Sequence, residues 1–202
     1  MKTVAIFGGT FNPIHKGHIE IIDALCNIDD IEKVLVIPTK IPPHKNSDFL
    51  AGEQDRLNMC QIACKKFSKV SVSNIEFLRE GKSYTVDTVA DIANLYPKHK
   101  IAVTIGADMV TTFTEWKDYK KLLDRVELIV FYRAGIDIEK FNLSIKMLEK
   151  EGAKIRYIDK TITDTSSSDI RCYGQNAETM ANITLEIFKY ISENNLYGIN
   201  NG

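Results

Sequence analysis

Residues 8–18 read GGTFNPIHKGH, and they carry the densest chemistry in the chain. Gly8-Gly9 close an apolar run, and His15 and His18 flank Lys16-Gly17 where a helical pattern starts. A helix N-terminus exposes unpaired N–H groups and about half a positive charge, so it favours anions. Two imidazoles at that end can donate to phosphate oxygens, and the glycines let the backbone turn sharply and approach a ligand. A tight turn with two surface histidines fits the same string. Metal ligation finds little support, because His44, His99 and the cysteines are scattered without the paired spacings of a zinc site. Neither GxxxxGK[ST] nor GxGxxG is present.

Other stretches offer chemistry of the same kind. Residues 166–171 read SSSDIR; serines make good N-caps, and Arg171 in the first turn can grip phosphate in a bidentate way. On the residues alone a capped surface helix with a solvated arginine is the better reading. Lys45 sits in IPPHK, on a proline-stiffened loop. Asp108, two residues after Gly106, follows an apolar run and can accept from a ribose hydroxyl or cap a helix. Ser83-Tyr84-Thr85 precedes a helical pattern and can supply N–H and hydroxyl donors to a carboxylate. Trp116, the sole tryptophan, can stack on a flat ring or sit in a core.

These residues need a frame. Val4–Phe7, Val34–Ile37, Val70–Ile75, Ile101–Ile105, Leu128–Tyr132 and Ile155–Ile158 are short, near-continuous apolar runs. Such runs suit strands buried on both faces of a parallel sheet. Helical patterns fall between them at Gly17–Cys26, Glu53–Phe67, Tyr84–Tyr96 and Ile138–Glu151, with a last one at Glu178–Asn194. Cys60 and Cys64 share an apolar stripe with Leu57 and Phe67, as core thiols. Pro97 ends one helix and Gly152 another. Strand–helix alternation implies right-handed βαβ units and an α/β, Rossmann-like doubly wound parallel sheet. Ligands in such sheets sit beyond the carboxyl ends of the strands, so Gly8-Gly9, Pro38–His44 and Gly106–Asp108 should gather at one end. No repeat or Gly/Ser linker divides the 202 residues, which read as one domain, 1–202, with a small helical C-terminal part from about 160.

A formal net charge of −1 supplies no basic field for a nucleic-acid polymer, so any polyanion must be gripped locally. No apolar run approaches the roughly 20 residues of a membrane span. MKTVAIF lacks the features of a signal peptide. Four cysteines in a chain of this length suit reduced thiols and a cytoplasmic protein. Monomer and homo-oligomer both stay open.

GGTFNPIHKGH, directly after an N-terminal strand, resembles the signature of the HxGH nucleotidyltransferases. With IPPHK at 41–45, REGKSYTVDT at 79–88, GADMVTTFTEW at 106–116, SSSDIR, and a closing YISENNLYG, the chain resembles the bacterial nicotinate-nucleotide adenylyltransferases over nearly its whole length. The resemblance implies transfer of an adenylyl group from ATP to nicotinate mononucleotide, giving deamido-NAD and pyrophosphate. It implies catalytic roles for His15, His18, Lys45 and Arg171. ATP contacts would come from Gly8, Gly9, Thr10, Phe11, His15, His18, Gly106, Asp108, Ser167 and Arg171. Ser83, Tyr84, Thr85 and Trp116 would hold the nicotinate nucleotide, and Mg2+ would arrive mainly on the ATP phosphates, with no protein ligand assigned. Arg133 would lie near the adenosine side. The chain departs from the family's usual pattern at Asn12, where Asp is common, and at Tyr173, where Arg is usual. It also lacks the usual proline near Asn182.

Overall fold

The computed structural model describes residues 1–41, 50–132, 135–160, 162–173 and 181–199. Lys45, His44 and Arg133 lie outside the described residues, as does the expected helix start at Glu178. The strands are β1 (Thr3–Gly9), β2 (Ile31–Pro38), β3 (Val70–Val72), β4 (Lys100–Gly106), β5 (Val126–Phe131) and β6 (Lys154–Ile158). They form one sheet in the order β3-β2-β1-β4-β5-β6, with every pairing parallel. The expected doubly wound α/β sheet is what the chain forms. Its switch point lies between β1 and β4, where a doubly wound sheet opens a crevice for ligands.

Burial on both sides explains the continuous apolar runs. In β1, Ala5 and Phe7 join one core while Val4 and Ile6 join the other. The first core packs α1 (Lys16–Cys26) and α2 (Glu53–Cys64) on the sheet through Ile22, Leu25, Met59 and Cys60. The second is covered by α3 (Thr85–Leu95), α5 (Tyr119–Leu123) and α6 (Ile138–Lys150), through residues such as Val89, Leu122 and Leu148. α4 (Ala107–Val110) is a single turn directly after β4. Among the described residues two short helices, α7 (Ser167–Tyr173) and α8 (Leu185–Glu193), follow β6, and Ile187 and Ile191 of α8 return to the first core.

Local signals account for several boundaries. Asp137 caps α6 by accepting from the Lys140 N–H at 3.0 Å. At its other end Gly152, with φ 92, closes a Schellman pair: Gly152 N–H to Glu149 O and Ala153 N–H to Leu148 O, both at 3.0 Å. Other boundaries differ from expectation. Helix α2 ends at Cys64 instead of Phe67, because the chain tightens into turns whose N–H groups reach back three residues, Lys65 to Ile62 and Phe67 to Cys64. β3 stops at Val72, since the Ser73 hydroxyl captures the Ile75 N–H and starts a turn. The last helix begins at Leu185, because Thr184 is extended and caps it through a hydroxyl that accepts from Ile187 N–H at 3.4 Å. Just before it, the Asn182 carbonyl is drawn onto the Lys16 N–H of α1 at 2.8 Å.

Candidate active site

The sheet register brings the loops together. Gly9 sits opposite Pro38, and Gly106 ends β4 on the same edge. The Thr39 N–H donates to Gly9 O at 2.9 Å, so the loops after β1 and β2 are stitched directly. The expected sharp turn is not at the glycines: Gly8 and Gly9 stay in β1, and neither has a positive φ. The left-handed residue is Phe11, φ 47, followed by a cis bond between Asn12 and Pro13. Glycine at position 9 is needed for space instead, since a Cβ there would stand 2.9 Å from the Phe11 ring. That ring is buried under the loop, edge-on to Phe7 at 5.4 Å and to His18 at 5.0 Å between centroids.

His15 is the N-cap of α1 and His18 its third residue. The His18 Nδ1 accepts the His15 N–H at 3.2 Å. That bond assigns the proton of a neutral His18 to Nε2, leaving a donor on the far side of the ring. The two imidazoles lie 3.6 Å apart between centroids, tilted by 31°. His15 is buried and His18 half-buried. Both line a cleft of about 180 Å3 with Gly17, Gly106, Asp108, Tyr132, Thr163 and Thr165. Asp108 is exposed at its rim, which removes the alternative of a buried cap. Its carboxylate occupies the space a side chain at Gly106 would need. A Cβ on Gly17 would stand 3.0 Å from the Thr163 carbonyl.

Arg171 comes to the same loop from the far end of the chain. Its Nη1 donates to Asn12 O at 2.7 Å and Nη2 to Ser168 Oγ at 3.3 Å. Ser166 caps α7 by accepting from the Asp169 N–H at 3.1 Å. Ser167 donates its hydroxyl to Pro13 O at 2.9 Å, so it docks α7 against the β1 loop. Arg171 thus reaches the loop that carries His15 and His18, while its side chain stands outside the cleft lining.

Asn12, read from sequence as a missing charge, is a buried junction. Its Oδ1 accepts from the Ala51 N–H at 3.0 Å and from the Tyr197 hydroxyl at 2.8 Å. Burial pushes the Tyr197 phenol well up from its ordinary value. The terminal YISENNLYG stretch therefore braces the first loop.

Ser83, Tyr84, Thr85 and Trp116 form a second group. Tyr84 is the N-cap of α3, and Trp116 follows the short turn Phe113–Glu115. Lys117 joins the two segments: its Nζ lies 4.5 Å from the Tyr84 ring centroid and 3.1 Å from Asp87. Trp116 stacks on Phe113 at 4.9 Å and is only half-buried. Ser83 Oγ accepts the Lys40 N–H at 3.3 Å, tying this group to the loop after β2. Gly8, Gly9, Thr10, Phe11, Ser167, Arg171 and these four residues stand outside the cleft lining.

Several contributors went unseen in the sequence. Thr163 and Thr165 wall the cleft, and TITDT directly before SSSDIR was the available signal. Glu20 holds this segment, accepting the Thr163 N–H and hydroxyl, each at 2.7 Å. Burial pushes its carboxyl up, but the two bonds from Thr163, with Lys16 and Lys160 nearby, hold it below its ordinary value. Arg56 was also missed, although it stands four residues before Cys60 on a buried stripe.

No helix among the described residues is long and apolar enough to cross a membrane. The cytidylyltransferase-like family model matches residues 6–173. A protein of Carboxydothermus hydrogenoformans named a probable nicotinate-nucleotide adenylyltransferase is 37% identical over 196 residues, covering 96% of this chain and 97% of the relative. One of the same name from Borrelia garinii is 34% identical, covering 96% and 94%. Among solved structures, the nicotinic acid mononucleotide adenylyltransferase of Plasmodium falciparum complexed with NaAD superposes with a TM-score of 0.81. It is 23% identical and covers 99% of each chain, which speaks for the fold. Full-length likeness at these identities, over a chain whose first loop carries paired imidazoles beside a cleft, places the protein in the nicotinate-nucleotide adenylyltransferase family.

Proposed function

We propose that the protein transfers the adenylyl group of ATP to nicotinate mononucleotide, releasing pyrophosphate and forming deamido-NAD for NAD biosynthesis. The observation that carries this reading is the His15–His18 pair at the mouth of the cleft, with Arg171 anchored on the same loop. The acceptor's phosphate oxygen is already an anion, so its attack on the α-phosphorus needs no strong base. Catalysis then rests on bringing two polyanions together and on stabilising charge as pyrophosphate leaves.

His18 serves as donor through Nε2–H to the α-phosphoryl oxygens, and His15 stands beside it. Arg171 and Lys45 take the leaving phosphates. Gly8, Gly9, Thr10 and Phe11 shape the loop beneath the nucleotide. Gly106 leaves room for the Asp108 carboxylate at the ribose side, and Ser167 sets the α7 end of the phosphate site. Ser83, Tyr84 and Thr85 present donors to the nicotinate carboxylate, with Trp116 against the ring. An amide in that place would set its own N–H2 against donors, which favours the acid.

Among the described residues no three His, Cys, Asp or Glu side chains converge as a metal cage. Magnesium would arrive on the triphosphate oxygens and keep several waters. Bound so, the ion supplies charge neutralisation on the triphosphate. The test is pyrophosphate release from ATP with nicotinate mononucleotide against nicotinamide mononucleotide. Efficient turnover of the acid and weak turnover of the amide is expected. Equal turnover of both refutes the donor-based selection, and no pyrophosphate from either refutes the assignment.

A further inference from the structure

Arg56 is the largest fully buried side chain, at 0% exposure. Its guanidinium bonds only to main-chain carbonyls. Nη1 donates to Thr39 O at 2.6 Å and to Thr10 O at 3.0 Å, Nε to Ala51 O at 3.1 Å, and Nη2 to Lys40 O at 3.4 Å. It stands 5.3 Å from the Phe77 ring centroid. It makes no ion pair among the described residues. Desolvation presses its pKa down, with Glu53 and Glu76 among the groups that oppose this. A guanidinium nevertheless keeps its charge in a protein. Buried charges are ordinarily paired, and an apolar side chain of similar volume stabilises a fold as well or better. Its charge alone therefore gives no reason for a guanidinium here.

Its partners supply one. Thr10 belongs to the β1 loop, and Thr39 and Lys40 to the β2 loop. The peptide whose carbonyl accepts from Arg56 at Thr39 is the one whose N–H, that of Lys40, donates to Ser83 Oγ. One side chain thus sets the histidine loop on one side and the serine on the other.

We infer that Arg56 is the positioning residue that registers the two substrate loops on each other. This rests on the reaction proposed above and adds to it a shared support for both halves of the site.

Two variants test it. R56K keeps the charge but cannot span four carbonyls; R56M removes the donors and the charge together. Measured quantities are the KM of ATP and of nicotinate mononucleotide, the Kd of ATP by calorimetry, and the melting temperature. For R56K, both KM values should rise roughly tenfold, and R56M should raise both at least as far. A structural role alone lowers the melting temperature and the active fraction but leaves KM untouched. Wild-type KM values for both substrates in R56K would overturn the inference, as would a rise confined to one substrate. Should R56M fail to fold, the KM pair in R56K decides. A wild-type protein that binds ATP yet releases no pyrophosphate with nicotinate mononucleotide refutes the parent reaction, and the Kd of ATP in R56K against wild type still judges the positioning.

Discussion

Replacing Glu20 by Gln tests whether the Thr163 segment is a fixed wall of the cleft proposed to take ATP. In the wild type one carboxylate accepts two bonds at 2.7 Å, from the Thr163 N–H and its hydroxyl. An amide can accept only one of them and turns its NH2 group toward the other donor. Loss of one charge-assisted bond, with the donor able to reach water at this half-buried site, costs about 1–2 kcal/mol. If the segment's closure carries that energy, the fraction of protein with the wall in place falls by roughly five- to thirtyfold from a marginal closed state, and apparent ATP affinity falls with it. A wall closed by a wide margin would absorb part of the loss, so the expected rise in the KM of ATP is roughly three- to thirtyfold. Neither the histidine pair nor the Ser83 group touches Glu20, so kcat and the KM of nicotinate mononucleotide should stay within about twofold. Initial rates of pyrophosphate release, each substrate varied in turn against saturation of the other, give all three numbers. An unchanged KM for ATP, or equal shifts for both substrates, would refute the latch. Because Glu20 is held below its ordinary pKa, its bonds persist through the neutral range and are lost as pH falls through the folded value. E20Q should therefore remove that acid-side loss of ATP affinity.

His18→Ala should lower kcat by roughly 10²–10³ while circular dichroism and melting stay near wild type; turnover like that of the wild type removes its role as phosphate donor. Tyr197→Phe deletes the hydroxyl bond to buried Asn12 Oδ1, which keeps its bond from Ala51. A loss of about 1 kcal/mol, or roughly 2–4 °C in Tm, is expected by calorimetry, and no shift would show the bracing to be idle. Asp30 is held at about 2 by its bonds from Arg156, at 2.7 and 3.1 Å. A depressed carboxyl stabilises the fold above its unfolded pKa and loses that contribution as pH drops toward the folded value. Denaturant midpoints should therefore fall between about pH 4 and pH 2 more steeply in the wild type than in Asp30→Asn, and parallel curves would count against the pair.

Strands and most helices were legible because their signals are local. Val4–Phe7 is apolar without interruption, and only a strand covered on both faces uses every such residue. Gly152 and Pro97 stop helices by backbone chemistry that no distant residue overrides. The last helix was overextended because its start is decided by a tertiary bond: Asn182 O is captured by Lys16 N–H, 166 residues away in sequence. The histidine loop and SSSDIR were recognisable as phosphate chemistry, yet their meeting depends on Arg171 reaching Asn12 O. Glu20 and Arg56 escaped notice for one reason. Each looks like an ordinary helix-surface charge, and its importance lies in loop carbonyls and amides that composition does not reveal. Asn12 shows the converse: read as a lost charge, it is a neutral acceptor for two donors.

The contacts at the start of α1 also decide what kind of anion site the proposed reaction would use. A bare helix N-terminus binds anions through its first free amides. Here the Lys16 N–H is taken by Asn182 O, and the His15 N–H by His18 Nδ1. Two amides are thereby directed into the protein, and the second of them fixes the ring that accepts it. The donor facing the cleft becomes His18 Nε2–H, carried on a side chain that Phe11 and His15 hold from either side at 5.0 and 3.6 Å. An imidazole locked in this way can be placed against a pentacovalent phosphorus more specifically than a diffuse helix field. The field acts on ground state and transition state alike, whereas one oriented donor can be strongest only where charge develops. It follows that disturbing the lock, by opening Asn182 or reshaping Phe11, should reduce kcat more than ATP affinity.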